Sequence, residues 1–151
     1  MSSIIWTCKT MEELTVSELH AVLKLRSEVF VVEQNCVYLD PDGKDNGALH
    51  LCGWLGNELL VAYARLLEPG VSYKEASIGR VLTHPSHRKD GYGKILMQKA
   101  IDLTLSKYHV SLIKISAQQY LINFYTNLGF KVASEPYLED GIPHVEMLLS
   151  K

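Results

Sequence analysis

The sequence predicts an α/β (α+β) fold: one domain over residues 1–151, with a central mixed, mostly antiparallel sheet and helices on both faces. Three observations lead there. Apolar runs with period-two alternation recur along the chain, as half-buried strands require. Amphipathic helical patterns fall between them, with no linker, repeat or low-complexity stretch to divide the chain. One long run, Ile78-Gly79-Arg80-Val81-Leu82-Thr83-His84-Pro85-Ser86-His87-Arg88-Lys89-Asp90-Gly91-Tyr92-Gly93-Lys94, passes from strand through a basic loop into a helix start.

Taken in order, residues 4–9 read as a first strand. Thr15-Val16-Ser17-Glu18 fits a capping box and opens a helix with Leu19, Val22, Leu23 and Phe30 on its buried side. Past Glu33 the chain turns irregular as far as Asp45. Residues 49–55 and 59–67 read as strands joined across Gly56-Asn57, a hairpin turn. The strand before Pro85 follows. The helix from about Gly91 keeps Lys94, Gln98, Asp102 and Ser106 at four-residue spacing, a solvent stripe opposite Ile95, Leu96 and Leu103. Residues 112–117 alternate as a strand. A short helix over about 120–128 is closed by Gly129, with Phe130 packing back beyond it. Residues 144–149 complete the sheet.

The basic turn carries the chemistry. A helix N-terminus presents unpaired N–H groups and the positive end of the helix dipole, so it suits an anion such as a pyrophosphate. Glycines there let phosphates approach the backbone. Two nucleotide motifs are excluded. The dinucleotide fingerprint needs a third small residue where Leu96 stands, and a Walker loop needs Ser or Thr where Ile95 follows Lys94.

What remains, Arg-x-x-Gly-x-Gly behind a strand, resembles the coenzyme A pyrophosphate loop of the GCN5-related N-acetyltransferase (GNAT) family. Phe124-Tyr125-Thr126-Asn127-Leu128-Gly129-Phe130 resembles the aromatic-Tyr-x-x-x-Gly-Phe segment near the end of such domains. Residues 25–36, followed by Tyr38, Asp40 and Asp42-Gly43, are similar to the N-terminal signature of the ElaA-like subfamily. Residues 62–65, 78–81 and 139–144 are similar to other stretches of it. The resemblance covers nearly the whole chain and implies a GNAT-like acetyltransferase domain, with acetyl-CoA as cosubstrate and an amine as acceptor.

Carried over residue by residue, the resemblance implies that Val81, Leu82 and Thr83 lie on a splayed strand that pairs with the pantetheine arm. The N–H of Val81 would polarise the thioester carbonyl. Arg88 takes the motif's basic position, and Lys89, Asp90, Gly91, Tyr92, Gly93 and Lys94 supply backbone N–H groups around the pyrophosphate. The side chains of Lys89 and Lys94 read equally well as solvated surface, and Asp90 is expected as the helix N-cap. Gln118 stands where many family members have an asparagine that contacts the cofactor. Tyr125 would protonate the departing thiolate, a task suited to a phenol that is neutral near pH 7; the alternative is a core tyrosine. The general base stays open between Glu33, His144, a weaker His50, and a water chain.

Arg26, Arg65 and Arg80 sit inside apolar elements, where an arginine is costly unless paired. Structural pairing with Glu28, Glu33 or Asp40 is the simpler expectation; the alternative is an acceptor carboxylate held by a bidentate contact. Asp40-Pro41-Asp42-Gly43-Lys44-Asp45 lacks the calcium-loop offsets and reads as a turn. His84 and His87 lack companion ligands at zinc spacing, so no metal is expected, and Cys36 has no nucleophile motif.

The formal charge of −2 offers no general attraction to nucleic acid or an anionic membrane. There is no apolar run long enough to span a bilayer and no signal-peptide pattern. Three cysteines without Cys-x-x-Cys spacing favour reduced thiols in a cytoplasm. The expected partners are a small-molecule or peptide amine and, for assembly, no more than a second copy: monomer or homodimer. The competing class is a non-catalytic acyl-CoA-binding or sensing module, which has no need of Tyr125 as an acid.

Overall fold

A computed structural model describes residues 3–56 and 58–151. The chain opens with strand β1 (Ile4–Thr10) and helix α1 (Val16–Arg26). Thr15 and Glu18 cap α1 reciprocally: the Glu18 N–H donates to Thr15 Oγ1 at 3.1 Å and the Thr15 N–H to Glu18 Oε1 at 2.8 Å. The helix then widens into a π-helical segment, Ser27–Glu33, where the sequence pattern suggested only more α-helix. Such widening turns side chains to a new face and recurs at functional sites.

Strands β2 (Leu49–Leu55), β3 (Leu59–Leu67) and β4 (Ser77–Thr83) follow, so that β1-β2-β3-β4 form one antiparallel sheet. Asn57, expected in the β2–β3 turn, lies outside the described residues. A 3₁₀ turn, Pro85–Asp90, leads into helix α2 (Tyr92–Tyr108). Strand β5 (Leu112–Gln118), a short helix α3 (Ile122–Thr126), and strands β6 (Lys131–Val132), β7 (Tyr137–Glu139) and β8 (Ile142–Ser150) complete the chain. β8 pairs antiparallel with β5 on one side and with β6 and β7 on the other. The two sheets meet at one parallel bridge, Ala76 to Ile113. The sheet is therefore mixed and mostly antiparallel, as the sequence predicts.

Helices cover both faces. Leu96, Met97, Ala100 and Ile101 of α2 bury against Ala62, Ala64 and Leu66 of β3 and Ile113 and Ile115 of β5. Val22 and Leu25 of α1, with Val29, bury against Tyr63 and Leu82 on the opposite face. The α2 solvent stripe is exposed as its spacing requires, but Ile95 is exposed too, placed at the helix edge and away from the core. Gly129, at φ +108°, ends α3, and the Phe130 N–H returns to the Tyr125 carbonyl at 3.1 Å.

The three arginines are paired, but not with Glu28 or Glu33. Arg26 is fully buried and donates from Nε to Asp40 at 2.7 Å and from Nη1 to Asp45 at 2.8 Å. Arg65 reaches Asp42 at 2.7 Å and Asp45 at 3.0 Å, and Arg80 Nε lies 2.8 Å from Asp40 Oδ1. The segment read as a turn, 40–45, runs into a short 3₁₀ element, Gly43–Gly47, and Asp40, Asp42 and Asp45 together collect all three guanidinium groups. Burial pushes the Asp45 carboxyl up, but Arg26 and Arg65 outweigh it and hold it below the usual carboxylate range. His50 is enclosed in the same network, Nδ1 2.6 Å from the Tyr63 hydroxyl and Nε2 3.0 Å from the Asp45 carbonyl. It does not line the cleft described next, which leaves it no role as a base there.

Candidate active site

The cleft arises because β4 and β5 part. They touch at the Ala76–Ile113 bridge, where the Lys114 N–H donates to the Ala76 carbonyl at 2.9 Å. Beyond it the two strands share no ladder among the described residues, and a cleft of about 610 Å³ opens between them. The facing backbone groups are thus left free for a ligand, since a strand edge that meets no partner keeps its donors and acceptors.

A bulge shapes the β4 wall. Tyr63 pairs with Leu82 and Arg65 with Gly79, so Arg80 and Val81 together face Ala64. Arg80 takes φ +50°, a conformation that costs a non-glycine residue about 1 kcal/mol or more. The aspartate pairs and the Tyr38 ring, 5.5 Å from the guanidinium carbon, hold it there. Nothing in the residue pattern of β4 announces this bulge, because its first position carries Arg where glycine would have been the signal.

Nine of the predicted site residues line the cleft: Glu33, Val81, Leu82, Thr83, Arg88, Gly93, Gln118, Tyr125 and His144. Five do not. Lys89, Asp90, Gly91, Tyr92 and Lys94 lie on the turn and first helical residues at its mouth. Of these, Asp90 and Tyr92 border a second hollow beside Trp6 and Ile95. Asp90 is not the N-cap of α2. The cap is Gly91, at φ +78°, with no side-chain capping bond, because the 3₁₀ turn ends at Asp90 and the chain must swing left-handed to enter α2. A side chain at Gly91 would be strained whatever bound nearby. At Gly93, a Cβ would meet only Thr83 Cγ2, at 3.9 Å, so that position is open.

The polar groups of the cleft differ in how far they are engaged. Arg88 and Glu33 form a two-pronged ion pair, Nη1 to Oε2 at 2.8 Å and Nη2 to Oε1. Arg88 holds the Glu33 carboxyl below its ordinary range, which weakens it as a base. The amides of Gln34 and Gln118 approach to 3.5 Å, and Cys36 Sγ lies 3.3 Å from the Asp140 carbonyl, so the segment after the π-helix bridges both walls. Tyr125, in contrast, is buried with its ring against Phe124 and Phe130, and no described residue hydrogen-bonds its hydroxyl. Burial, with a small contribution from Tyr120, pushes its phenol up to about 12, so it keeps its proton near pH 7.

His144, the register partner of Gln118 on the β5 side, is buried. Its Nδ1 lies 2.7 Å from the Ile142 carbonyl, which can only accept, so Nδ1 carries a proton, and in the neutral tautomer Nε2 presents the lone pair. Glu139 Oε2 sits 3.5 Å from that Nε2. No group of three or more metal-ligating side chains is found among the described residues. No helix among them is long and apolar enough to cross a membrane.

Splayed strands, a bulge and a basic turn at a helix start form an architecture with known relatives. Residues 45–151 match the acetyltransferase (GNAT) domain. The chain belongs to the GNAT acetyltransferase family. Within it the chain is ElaA-like: it is 42% identical to protein ElaA of Escherichia coli over 144 residues, 94% of each chain. It is 41% identical to a UPF0039 protein of Synechocystis, over 95% of this chain and 93% of that one. Among solved structures, an acyl-CoA N-acyltransferase from Pseudomonas aeruginosa superposes with a TM-score of 0.90 at 40% identity, covering 97% of this chain and 99% of that one. The E. coli ElaA structure gives 0.89 at the same identity and coverage. The GNAT fold, family and use of an acyl-CoA donor therefore agree with the sequence reading.

Proposed function

We propose that residues 1–151 act as one GNAT-like acetyltransferase domain, moving an acetyl group from acetyl-CoA to a primary amine by direct attack in a ternary complex. The observation that carries this is the placement of the free Tyr125 hydroxyl and of His144, its Nε2 facing Glu139, in one cleft between the splayed strands.

The residues fit the cosubstrate. The unladdered edges of β4 and β5 suit the amides of a pantetheine arm, with Val81, Leu82 and Thr83 on one wall and Gln118 on the other. Arg88 and the backbone from Lys89 to Lys94, with Gly93 open, suit the pyrophosphate. The thioester supplies an activated acyl carbon. The bulge at Arg80 and Val81 interrupts the β3 ladder, and the Val81 N–H is the donor assigned to the thioester carbonyl.

Each proton then has a carrier. An aliphatic amine arrives as an ammonium, and His144 Nε2 takes its first proton, later released to water. Attack forms the C–N bond and makes the nitrogen positive. As the C–S bond breaks, Tyr125 donates its phenolic proton to the sulfur and regains one from the nitrogen, directly or through water, leaving an amide and the free thiol. Glu33, tied to Arg88, is the poorer base.

Calorimetric titration with acetyl-CoA, followed by amine-dependent release of free thiol, tests the reading. Binding with amine-dependent thiol release is expected. Binding without turnover of any amine would instead indicate an acyl-CoA-binding module, and no binding at all would remove both.

A further inference from the structure

We infer that the Glu139–His144 corner of the cleft is an ammonium-receiving site, and that the acceptor is an aliphatic amine with a second positive charge and no carboxylate of its own. The inference rests on the acetyltransferase reading above and narrows its substrate.

Glu139 and His144 form a fixed pair. The Ser116 hydroxyl donates to Glu139 Oε1 at 3.1 Å, and Ser116 is bonded in turn to the Tyr137 hydroxyl, which fixes the carboxylate. Its other oxygen, Oε2, faces His144 Nε2 at 3.5 Å. With Nδ1 donating to the Ile142 carbonyl, Nε2 of a neutral ring is an acceptor, so two acceptors face each other with no proton between them. The imidazole is over nine-tenths buried, at 8% side-chain exposure, with the Glu139 carboxylate the one protein group facing Nε2 among the described residues. A primary ammonium placed against both would satisfy both. Glu139 neutralises its charge, and Nε2 takes the proton that must leave before attack.

The charge balance of the cleft points the same way. Five residues of fixed charge line the cleft: Glu33, Arg80, Arg88, Glu139 and Asp140. Arg88 is spent on Glu33, and Arg80 on Asp40 and Asp42. Glu139 and Asp140 remain, with no basic partner other than His144 among the described residues. When phosphates draw Arg88 away, Glu33 joins them. An acceptor carboxylate would therefore meet carboxylates, since Arg26 and Arg65 are paired inside the aspartate network. A second ammonium would find Asp140 on the same hairpin, held near by the Cys36 contact to its carbonyl.

A matched series tests this: 1,5-diaminopentane, pentylamine and 5-aminopentanoate, with saturating acetyl-CoA and thiol release as readout. The expected order of kcat/KM is diamine, then monoamine, then amino acid, about fivefold or more per step. Glu139→Gln should raise the KM for the diamine about tenfold or more while leaving the KM for acetyl-CoA unchanged. Asp140→Asn should erase the diamine advantage over pentylamine. A 5-aminopentanoate that matches or exceeds the diamine would overturn the inference and leave the acetyltransferase reading intact. Should no amine turn over, the site can still be read by titrating 1,5-diaminopentane against the His144 ring resonances. A shift present in the wild type and lost in Glu139→Gln supports the ammonium site without catalysis; no shift in the wild type removes it.

Discussion

The aspartate–arginine network and the cleft beside it are built from similar residue types and differ in how many polar groups are already spent. In the network, Arg26, Arg65 and Arg80 share Asp40, Asp42 and Asp45, and His50 has partners on both nitrogens. In the cleft, the Tyr125 hydroxyl has no hydrogen-bond partner among the described residues, His144 Nε2 faces only the Glu139 carboxylate at 3.5 Å, and two strand edges face each other unpaired. A cluster of charges paired with one another fixes geometry, here even with Arg65 Nε and Arg80 Nε short of a hydrogen bond, whereas polar groups without a protein partner suit a ligand. Arg80 belongs to both regions. Its charge is locked in the network, while its strained backbone makes the bulge that shapes the cleft wall.

The largest effect is expected in the network. Asp45→Ala should leave Arg26 and Arg65 short of their shared carboxylate inside the protein and cost about 3–5 kcal/mol in urea unfolding. A loss under about 1 kcal/mol would mean that the cluster is solvated and that its pairing does not set the fold.

On the cleft side, Gly93→Ala separates folding from binding. The added methyl meets only Thr83 Cγ2, at 3.9 Å, and alanine is the better helix former, so the melting temperature should hold or rise. Affinity for CoA should fall about tenfold, because the methyl stands where phosphates approach the backbone. Unchanged affinity would show that the α2 entry carries no phosphate. Gly91 cannot serve here, since its φ of +78° makes any replacement strained.

The smallest effect is a pH dependence. Burial, the largest influence on it, pushes the His50 imidazole below its ordinary value, so the unfolded chain binds that proton more readily than the native one. The contribution of the neutral ring is then fully present above the unfolded value of about 6.5 and is lost as pH falls toward the native value. His50→Gln should therefore cost about 1 kcal/mol above that value and less near pH 5. Equal costs at both pH values would mean that the native ring protonates freely.

Much of this was legible in the sequence because local signals agreed with tertiary demands. The Thr15–Glu18 box, the alternation over 49–55 and 59–67, and the solvent stripe of α2 each answer to one periodicity or one cap. The site was legible mainly through resemblance, since Arg88, Gly93 and Tyr125 converge only after β4 and β5 splay. What stayed hidden is nonlocal. The π-helical widening at 27–33 and the bulge at Arg80 depend on partners distant in sequence, and the aspartates of 40–45 look like an ordinary turn until three arginines fold onto them. The Asp90 cap failed because backbone handedness at Gly91, and not side-chain capping, starts α2.

If the unpaired hydroxyl in the cleft gives up a proton to the leaving thiolate, Tyr125→Phe removes that step alone. The ring packing is kept and no protein hydrogen bond is lost, so folding and acetyl-CoA Kd should stay within about twofold of wild type. Turnover, measured where chemistry limits the rate, should fall about a hundredfold, close to 3 kcal/mol of transition-state stabilisation. Undiminished turnover would contradict the account and leave Tyr125 a core residue.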